Sequence, residues 1–157
     1  MRDKTNTTQP IIREAELSDA PAISALIKSV AHYFTLDPAG IGAERFLQTI
    51  TPEAIAEYIT SDDIVYLVAI DNKTIIGAGA VKDAHHLYHL FVDEAYQGQQ
   101  IARKLWQQLE PWLTDAPITV SSTPFAVPVY EKFGFTATGP KVERDGIAFV
   151  PMRKESP

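Results

Sequence analysis

Cysteine is absent from the 157 residues of the chain. The protein can therefore form no disulfide, no cysteine-ligated metal site and no thiol nucleophile. The sequence also lacks a run of about 20 apolar residues, the length that an α-helix needs to cross a membrane. Its first ten residues, MRDKTNTTQP, are polar and lack the apolar core of a secretory signal. These features predict a cytoplasmic protein with no membrane contact, in which residues 1–9 form a flexible tail.

Positive charge is scarce as well. Fourteen Lys and Arg against twenty Asp and Glu give a formal net charge of −6 at pH 7. The sequence therefore predicts no nucleic-acid partner, because phosphate-binding proteins usually carry a basic surface. Long-range attraction would mildly favour a cationic acceptor such as an amine, although the acidity could equally serve solubility alone.

The apolar content is sufficient for one folded domain, which we place at residues 10–155. Hydrophobic residues make up 45% of the chain, and a domain of this length buries about 70% of its unfolded surface. The hydrophobic periodicity predicts strands at 11–15, 64–70, 74–81, 86–92, 118–122, 135–139 and 147–154. The last two are predicted to be joined through a turn at Asp145-Gly146. Helices are predicted from Ser18 to about His32, at 44–50, from Pro52 with Thr51 as its cap, at 98–112, and after Thr123-Pro124. Helices that alternate with strands of one mixed sheet indicate an α/β fold.

Residues 86–106 are the most informative stretch of the sequence. A strand passes through the polar connection 93–95 and Gln97-Gly98-Gln99-Gln100 into a helix whose apolar stripe comprises Ile101, Leu105, Leu109 and Trp112. The first amides of a helix have no internal partner, and the helix dipole adds positive charge there, so such a junction binds anions. Arg103 and Lys104 lie near this end, where cations oppose the dipole unless an anion compensates. The junction therefore predicts a phosphate-bearing ligand at residues 97–103.

Two sequence motifs carry a family resemblance. The P-loop and dinucleotide fingerprints are both absent, whereas Gln97-x-x-Gln100-x-Ala102 resembles the acyl-CoA loop of the GCN5-related N-acetyltransferase (GNAT) family, Gln/Arg-x-x-Gly-x-Gly/Ala. Gln100 stands where this family usually has Gly. Residues 126–135, AVPVYEKFGF, are similar to the later family motif A-x-x-x-Tyr-x-x-x-Gly-Phe, and FVPMRK at 149–154 is similar to its last strand. The chain is thus identified as a member of the family, with an implied central mixed, mostly antiparallel sheet flanked by helices.

The resemblance implies acetyl-CoA as cosubstrate. The order H-H-x-x-H at 85–89 could suggest a metal, but no metal is expected, because cysteine is absent and these histidines lie on a predicted strand. The residues that the resemblance implies for acetyl-CoA binding are Leu90, Phe91, Val92, Gln97, Gly98, Gln99, Gln100, Ile101, Ala102, Arg103 and Thr123. Thr123 stands where many members carry Asn. Gln100 is expected to offer its side-chain amide to a phosphate oxygen instead of obstructing the ligand.

Acetyl transfer to an amine needs a proton acceptor, donors to the carbonyl oxygen and a proton for the leaving thiolate. His85, His86 and His89 are candidate bases because imidazole titrates near neutral pH. The resemblance selects His86, acting through a water, and the alternative is an exposed histidine at the start of a strand. His89 would face the opposite side of a regular strand, and a bulge would change that. The resemblance also selects Tyr130 as general acid, and the alternative is a core tyrosine.

The resemblance implies an acceptor pocket at His32, Tyr33 and Phe34, before the loop 35–42, with Tyr33, Phe34 and His89 as substrate-binding residues. The aromatic cluster could hold an amine by cation–π contact or could equally be core. Gly77-Ala78-Gly79-Ala80 leaves one surface of its strand nearly bare, either for close helix packing or for a ligand. The expected activity is transfer of acetyl to a primary amine of a small molecule or peptide. Alternatives are a non-catalytic acyl-CoA-binding module or sensor and a plain interaction domain. The sequence is compatible with a homodimer and does not set the oligomeric state.

Overall fold

The computed structural model describes residues 10–156, and the predicted tail at 1–9 lies outside them. Its strands are Ile11–Glu14 (β1), Ile64–Asp71 (β2), Thr74–Lys82 (β3), His86–Val92 (β4), Ile118–Ser122 (β5), Thr136–Ala137 (β6), Val142–Arg144 (β7) and Ile147–Lys154 (β8). Its helices are Ala20–Val30 (α1), Glu44–Leu47 (α2), Pro52–Thr60 (α3), Ile101–Leu109 (α4) and Val127–Lys132 (α5). No helix within 10–156 is long and apolar enough to cross a membrane.

The eight strands form one sheet in the order β1-β2-β3-β4-β5-β8-β6, with β7 also paired to β8. Only the β4–β5 pair is parallel, and the other pairs are antiparallel. Helices α1 and α3 cover one face of the sheet, and α4 and α5 cover the other. The predicted single α/β domain with a mixed, mostly antiparallel sheet is therefore confirmed.

Close packing of α4 explains the small residues of β3. A Cβ added at Gly79 would lie 2.7 Å from Leu109, and one added at Gly77 would lie 3.0 Å from Leu105. Ile101, Leu105 and Leu109 are at most 2% exposed against this surface. Of the two interpretations of the segment Gly77–Ala80, the structure thus confirms helix packing at the two glycines.

Strands β4 and β5 pair only briefly before they separate. Their ladder consists of His86 opposite Thr119 and Leu87 opposite Val120. On its other edge, β4 stays paired with β3 as far as Val92. Among the described residues, the edge of β4 beyond Leu87 that faces β5 therefore has no partner strand, and a cleft opens between the two strands.

Three details of the predicted helices are wrong. Ser18 does not cap α1, because it lies inside a 3₁₀ turn, Leu17–Asp19, that precedes the helix. The Asp19 carboxylate stabilises this turn by accepting hydrogen bonds from the Glu16 amide at 2.7 Å and from the Arg13 guanidinium at 2.8 Å. The helix predicted at 98–112 begins at Ile101 and ends at Leu109, followed by a 3₁₀ turn at Glu110–Trp112. Because the 3₁₀ turn breaks the 3.6-residue period, Trp112 leaves the buried stripe and is 50% exposed.

The last hairpin also differs from its prediction. Asp145 and Gly146 form the expected tight turn, with φ of 54° and 80°. They join β8 to β7, however, and not to the strand predicted at 135–139, of which only Thr136–Ala137 is extended. Strand β7 is largely exposed and carries Glu143 and Arg144, so it has no apolar alternation that would reveal it.

Candidate active site

One cavity of about 380 Å³ occupies the cleft beside β4. It gathers thirteen of the residues predicted to bind or react: Tyr33, Phe34, Leu90, Phe91, Val92, Gln97, Gly98, Gln100, Ile101, Ala102, Arg103, Thr123 and Tyr130. Gln99, His86 and His89 do not line it. Residues from α1, β4, α4 and α5 therefore meet in one space, although they are far apart in the chain.

The loop between β4 and α4 is built from local hydrogen bonds and two left-handed residues. Asp93 accepts the amide of Ala95 at 2.9 Å and starts a 3₁₀ turn at Glu94–Tyr96. Gly98 and Gln100 then adopt φ of 82° and 69° before α4 begins. A Cβ at Gly98 would meet nothing within 4 Å, so this part of the loop borders open space. The free amides at the start of α4 are thus available to an anion.

Gln100 holds a conformation that favours glycine. A left-handed backbone costs an ordinary residue roughly 1–2 kcal/mol. The side-chain oxygen of Gln100 accepts a hydrogen bond from Nε of Arg103 at 3.1 Å. The contact fixes the guanidinium at the mouth of the loop, where its charge would attract phosphate.

Tyr130 enters the cavity wall from α5. The Thr123 hydroxyl accepts the amide of Ala126 at 3.0 Å and starts the turn that leads into this helix. Tyr130 is 6% exposed and packs edge-on against Phe133 and Phe135. Burial raises the pKa of its phenol, so the hydroxyl keeps its proton across the neutral range. Within the described chain no residue hydrogen-bonds this hydroxyl, which leaves it free to donate to a ligand.

A β-bulge changes the direction of the side chains in β4. Ala80 pairs with His89 and Val81 with Leu87, so Tyr88 is an extra residue on β4. Leu87, Leu90 and Val92 consequently face α4, whereas Phe91 packs on the α1 face. The bulge brings His86, Tyr88 and His89 to the α1 face as well, as their ring contacts show.

His89 belongs to a buried network behind the cavity. Its Nδ1 lies 2.8 Å from the Tyr66 hydroxyl, and its ring stacks on Tyr88 at 4.5 Å. Burial, and to a smaller extent the charge of His86, lowers the pKa of His89 to about 3. Burial also raises the pKa of Tyr66, so this hydroxyl donates and Nδ1 accepts. A neutral, hydrogen-bonded His89 packs against Phe91 and orders the wall of the cavity from behind.

His86 lies at the point where β4 and β5 separate. Its Nδ1 is 2.7 Å from the Thr119 hydroxyl oxygen. Burial, followed by the nearby charges of His85 and Lys82, lowers the pKa of His86 and keeps the imidazole neutral near pH 7. If Nδ1 carries the proton and donates it to Thr119, Nε2 is free to accept a proton. His86 would have to reach the cavity through water. Across residues 10–156, no three potential metal ligands form a cluster.

Comparison with protein families identifies the chain. The model described as "Acetyltransferase (GNAT) domain" matches residues 34–156. The protein belongs to the GNAT acetyltransferase family. The family resemblance inferred from the two motifs is therefore confirmed. A comparison with curated protein sequences found no match.

Solved structures with GNAT folds resemble the domain over nearly its whole length. A GCN5-related N-acetyltransferase from Rhodopseudomonas palustris has a TM-score of 0.75 and 19% identity, covering 98% of this chain and 99% of its own. The PaiA N-acetyltransferase from Thermoplasma acidophilum, in complex with coenzyme A, has a TM-score of 0.74 and 17% identity. The match covers 94% of this chain and 99% of the PaiA chain. The ribosomal-protein-S18-alanine N-acetyltransferase from Escherichia coli has a TM-score of 0.68 and 17% identity, and the match covers 94% of both chains. At these identities the likeness establishes the fold.

The GNAT domain also has cavity residues that sequence analysis missed. They are Val30, Phe125, Ala126, Val129, Lys132 and Phe133. Phe125 is the most informative of them, because it is 59% exposed and stacks on Tyr33 at 4.7 Å. Its position between Thr123-Pro124 and the tyrosine motif could have indicated it, since an aromatic residue in a turn is seldom needed for packing.

Proposed function

We propose that this GNAT domain transfers the acetyl group of acetyl-CoA to a primary amine of a small molecule or peptide by direct attack in a ternary complex. One observation carries the proposal: the same cavity contains the open edge of β4, the loop before α4 and the Tyr130 hydroxyl. These parts respectively suit a pantetheine arm, a pyrophosphate and a leaving thiolate.

The residues around the cavity fit the cosubstrate. The unpaired edge at Leu90, Phe91 and Val92 would hydrogen-bond pantetheine amides as another strand would. The amides at the start of α4, together with Arg103, would hold the pyrophosphate. The coenzyme A complex of the similarly folded PaiA enzyme supports this assignment. When bound, acetyl-CoA supplies an activated thioester.

Two different residues handle the proton lost by the amine and the proton donated to the leaving sulfur. The amine nitrogen forms a bond to the acetyl carbon, and the bond from that carbon to sulfur breaks. His86 accepts the amine proton through a water, and Tyr130 donates a hydrogen bond or its proton to the departing sulfur. A backbone amide of the open β4 edge stabilises the carbonyl oxygen. No covalent enzyme intermediate is needed.

A non-catalytic acyl-CoA-binding module is the second candidate, and two observations favour it. Gln100 replaces the usual Gly with φ of 69°, and the described lining of the cavity contains no His, Asp or Glu. A base would then act only from outside the cavity. Such a module would bind acetyl-CoA without consuming it.

Amine-dependent release of free thiol from acetyl-CoA tests the proposal. The panel should include monoamines, polyamines, amino acids and peptides, with reactions lacking either protein or amine as controls. Saturable release with at least one amine is expected. Binding of acetyl-CoA without release would favour the binding module, and the absence of binding would favour a plain interaction domain.

A further inference from the structure

The cavity has an apolar wall. We call it the aromatic wall, and it comprises Val30, Tyr33, Phe34, Phe91, Phe125 and Val129. Tyr33 and Phe125 stack at 4.7 Å with 23° between their planes, and the rings of Phe34 and Phe91 are 6.1 Å apart. Segments from α1, β4 and the turn before α5 thus join into one continuous apolar surface.

The charged residues that line the cavity are positive. Among its described lining residues, Arg103 and Lys132 are the charged ones, and none is acidic. Partial desolvation, then the charge of Glu94 and a hydrogen bond with its carboxylate, raise the pKa of Tyr33, which places Glu94 beside the tyrosine. Glu94 does not line the cavity, however, and it lies 3.7 Å from His32 outside it.

Such surroundings act on an amine in two ways. Apolar walls disfavour an ammonium ion and lower the pKa of a bound amine. This helps the reacting nitrogen, which must be neutral to attack. A second ammonium group on the same molecule is disfavoured equally by the apolar wall, and no described lining residue offers it a carboxylate. The stacking of Tyr33 on Phe125 also covers one face of each ring against a cation.

We propose that the acceptor is a monoamine whose aromatic or aliphatic group packs on the aromatic wall, and that polyamines and aminoglycosides are poor acceptors. This inference rests on the proposed acetyl transfer and names its substrate class. Phe125 and Tyr33 would be the specificity-determining residues.

Two amines that differ by one ammonium group provide the first test. Hexylamine and hexamethylenediamine share one carbon skeleton, and 2-phenylethylamine and spermidine extend the comparison. Both monoamines should have kcat/KM at least about ten-fold above the two polyamines. Preference for either polyamine would overturn the inference and leave acetyl transfer intact. No turnover of any amine, with acetyl-CoA bound, would overturn both.

Variants of Phe125 provide the second test. Phe125→Ala should raise KM for 2-phenylethylamine about five-fold or more with KM for acetyl-CoA unchanged, and Phe125→Leu should restore most of the loss. Phe125→Glu should shift the preference toward hexamethylenediamine, because it supplies the missing carboxylate. Leu17→Ala, which truncates an equally exposed apolar side chain outside the cavity, should change neither constant. Unaltered amine selectivity in the Phe125 variants would refute the assignment, as would a change in KM for acetyl-CoA alone.

Discussion

At the residue scale, the Tyr130 hydroxyl is buried, protonated and without a hydrogen-bond partner in the described chain. Tyr130→Phe removes this donor and keeps the ring that packs on Phe133 and Phe135. We expect kcat to fall about 10²-fold or more, because the thiolate then leaves without a proton donor. The dissociation constant of acetyl-CoA should change little, as measured by titration calorimetry beside steady-state kinetics.

Tyr96→Phe is the matched control for this change. It also removes one hydroxyl, which bonds Asp71 at 2.7 Å outside the cavity. Its kcat should stay near that of the parent. A Tyr130→Phe enzyme with full activity would show that Tyr130 is only a core residue.

The lowered pKa of His86 leads to a prediction about the pH dependence of the rate. Because the pKa of His86 is lowered, its imidazole stays neutral and able to accept a proton throughout the neutral range, and loses this ability only at lower pH. Without it, the rate depends on the small fraction of amine that is already neutral. His86→Ala should therefore lose most activity near pH 7 and recover partly as pH approaches the pKa of the amine. The pH profile of kcat/KM measures this.

His85→Ala is the control, since His85 is exposed and adjacent in sequence. Its activity near pH 7 should stay near that of the parent, and because the charge of His85 helps to lower the pKa of His86, its acid limb should shift slightly toward higher pH. Parallel profiles for His86→Ala and the parent at every pH would mean that another group, or water alone, accepts the proton.

Gln100 combines backbone strain with a side-chain contact. Gln100→Gly relieves the left-handed strain and should raise the free energy of unfolding of the ligand-free protein by about 1 kcal/mol. It also removes the acceptor that orients Arg103 and a donor to phosphate. The affinity for acetyl-CoA should fall by about ten-fold, the lower end for a hydrogen bond to a charged group, with activity retained. Tighter binding of acetyl-CoA in calorimetry would instead show that Gln100 obstructs the site.

At the element scale, the position of α4 depends on the glycines of β3. In Gly79→Ala the new methyl group would meet Leu109 at 2.7 Å, so α4 must move away from the sheet. Overpacking of this kind typically destabilises a domain by about 1–3 kcal/mol, and chemical denaturation measures it. The shift of α4 should also weaken acetyl-CoA binding.

Gly139→Ala is the control for that substitution, because its Cβ would meet nothing within 4 Å and its φ is not positive. It should be neutral or slightly stabilising. Equal stability of the two variants would mean that α4 is not held by close contact with β3.

Elements with strong local signals could be predicted from the sequence. The apolar run at 64–70 became β2, and the Thr51 hydroxyl caps α3 by accepting the Ala54 amide at 3.1 Å. The bulge at Tyr88 and strand β7 could not, because pairing across the sheet determines them. For the site, the motifs located the loop and Tyr130 in the cavity. Their positions could have drawn attention to Phe125, but its contact with Tyr33 could not be predicted, because the two residues come from distant segments.

At the scale of the whole molecule, the separation of β4 from β5 creates one cleft that several segments line. A ligand that bridges them should stabilise the fold as a unit. Acetyl-CoA at about 100 times its dissociation constant should stabilise the protein by ~2.7 kcal/mol. For a domain of this size that corresponds to a rise in Tm of about 5–10 °C in thermal melts. ATP, which shares the nucleotide but lacks the pantetheine arm, is the control ligand and should shift Tm less.

An unchanged Tm at millimolar acetyl-CoA would count against the cleft as its binding site. In Gln100→Gly the ligand-induced shift should be smaller than in the parent, although the ligand-free protein melts higher. The higher Tm without ligand would report the relieved backbone strain, and the smaller ligand-induced shift would report the weaker binding.

The central claim is transfer of acetyl from the thioester to an amine within this cleft. Acetyl-CoA labelled with an isotope in the acetyl group, followed by NMR in the presence of 2-phenylethylamine, observes that transfer directly. We predict that the label moves into the amide at the rate of thiol release, and that Tyr130→Phe slows both together. Label that stays in the thioester while acetyl-CoA is bound, or that appears as free acetate, would contradict the account.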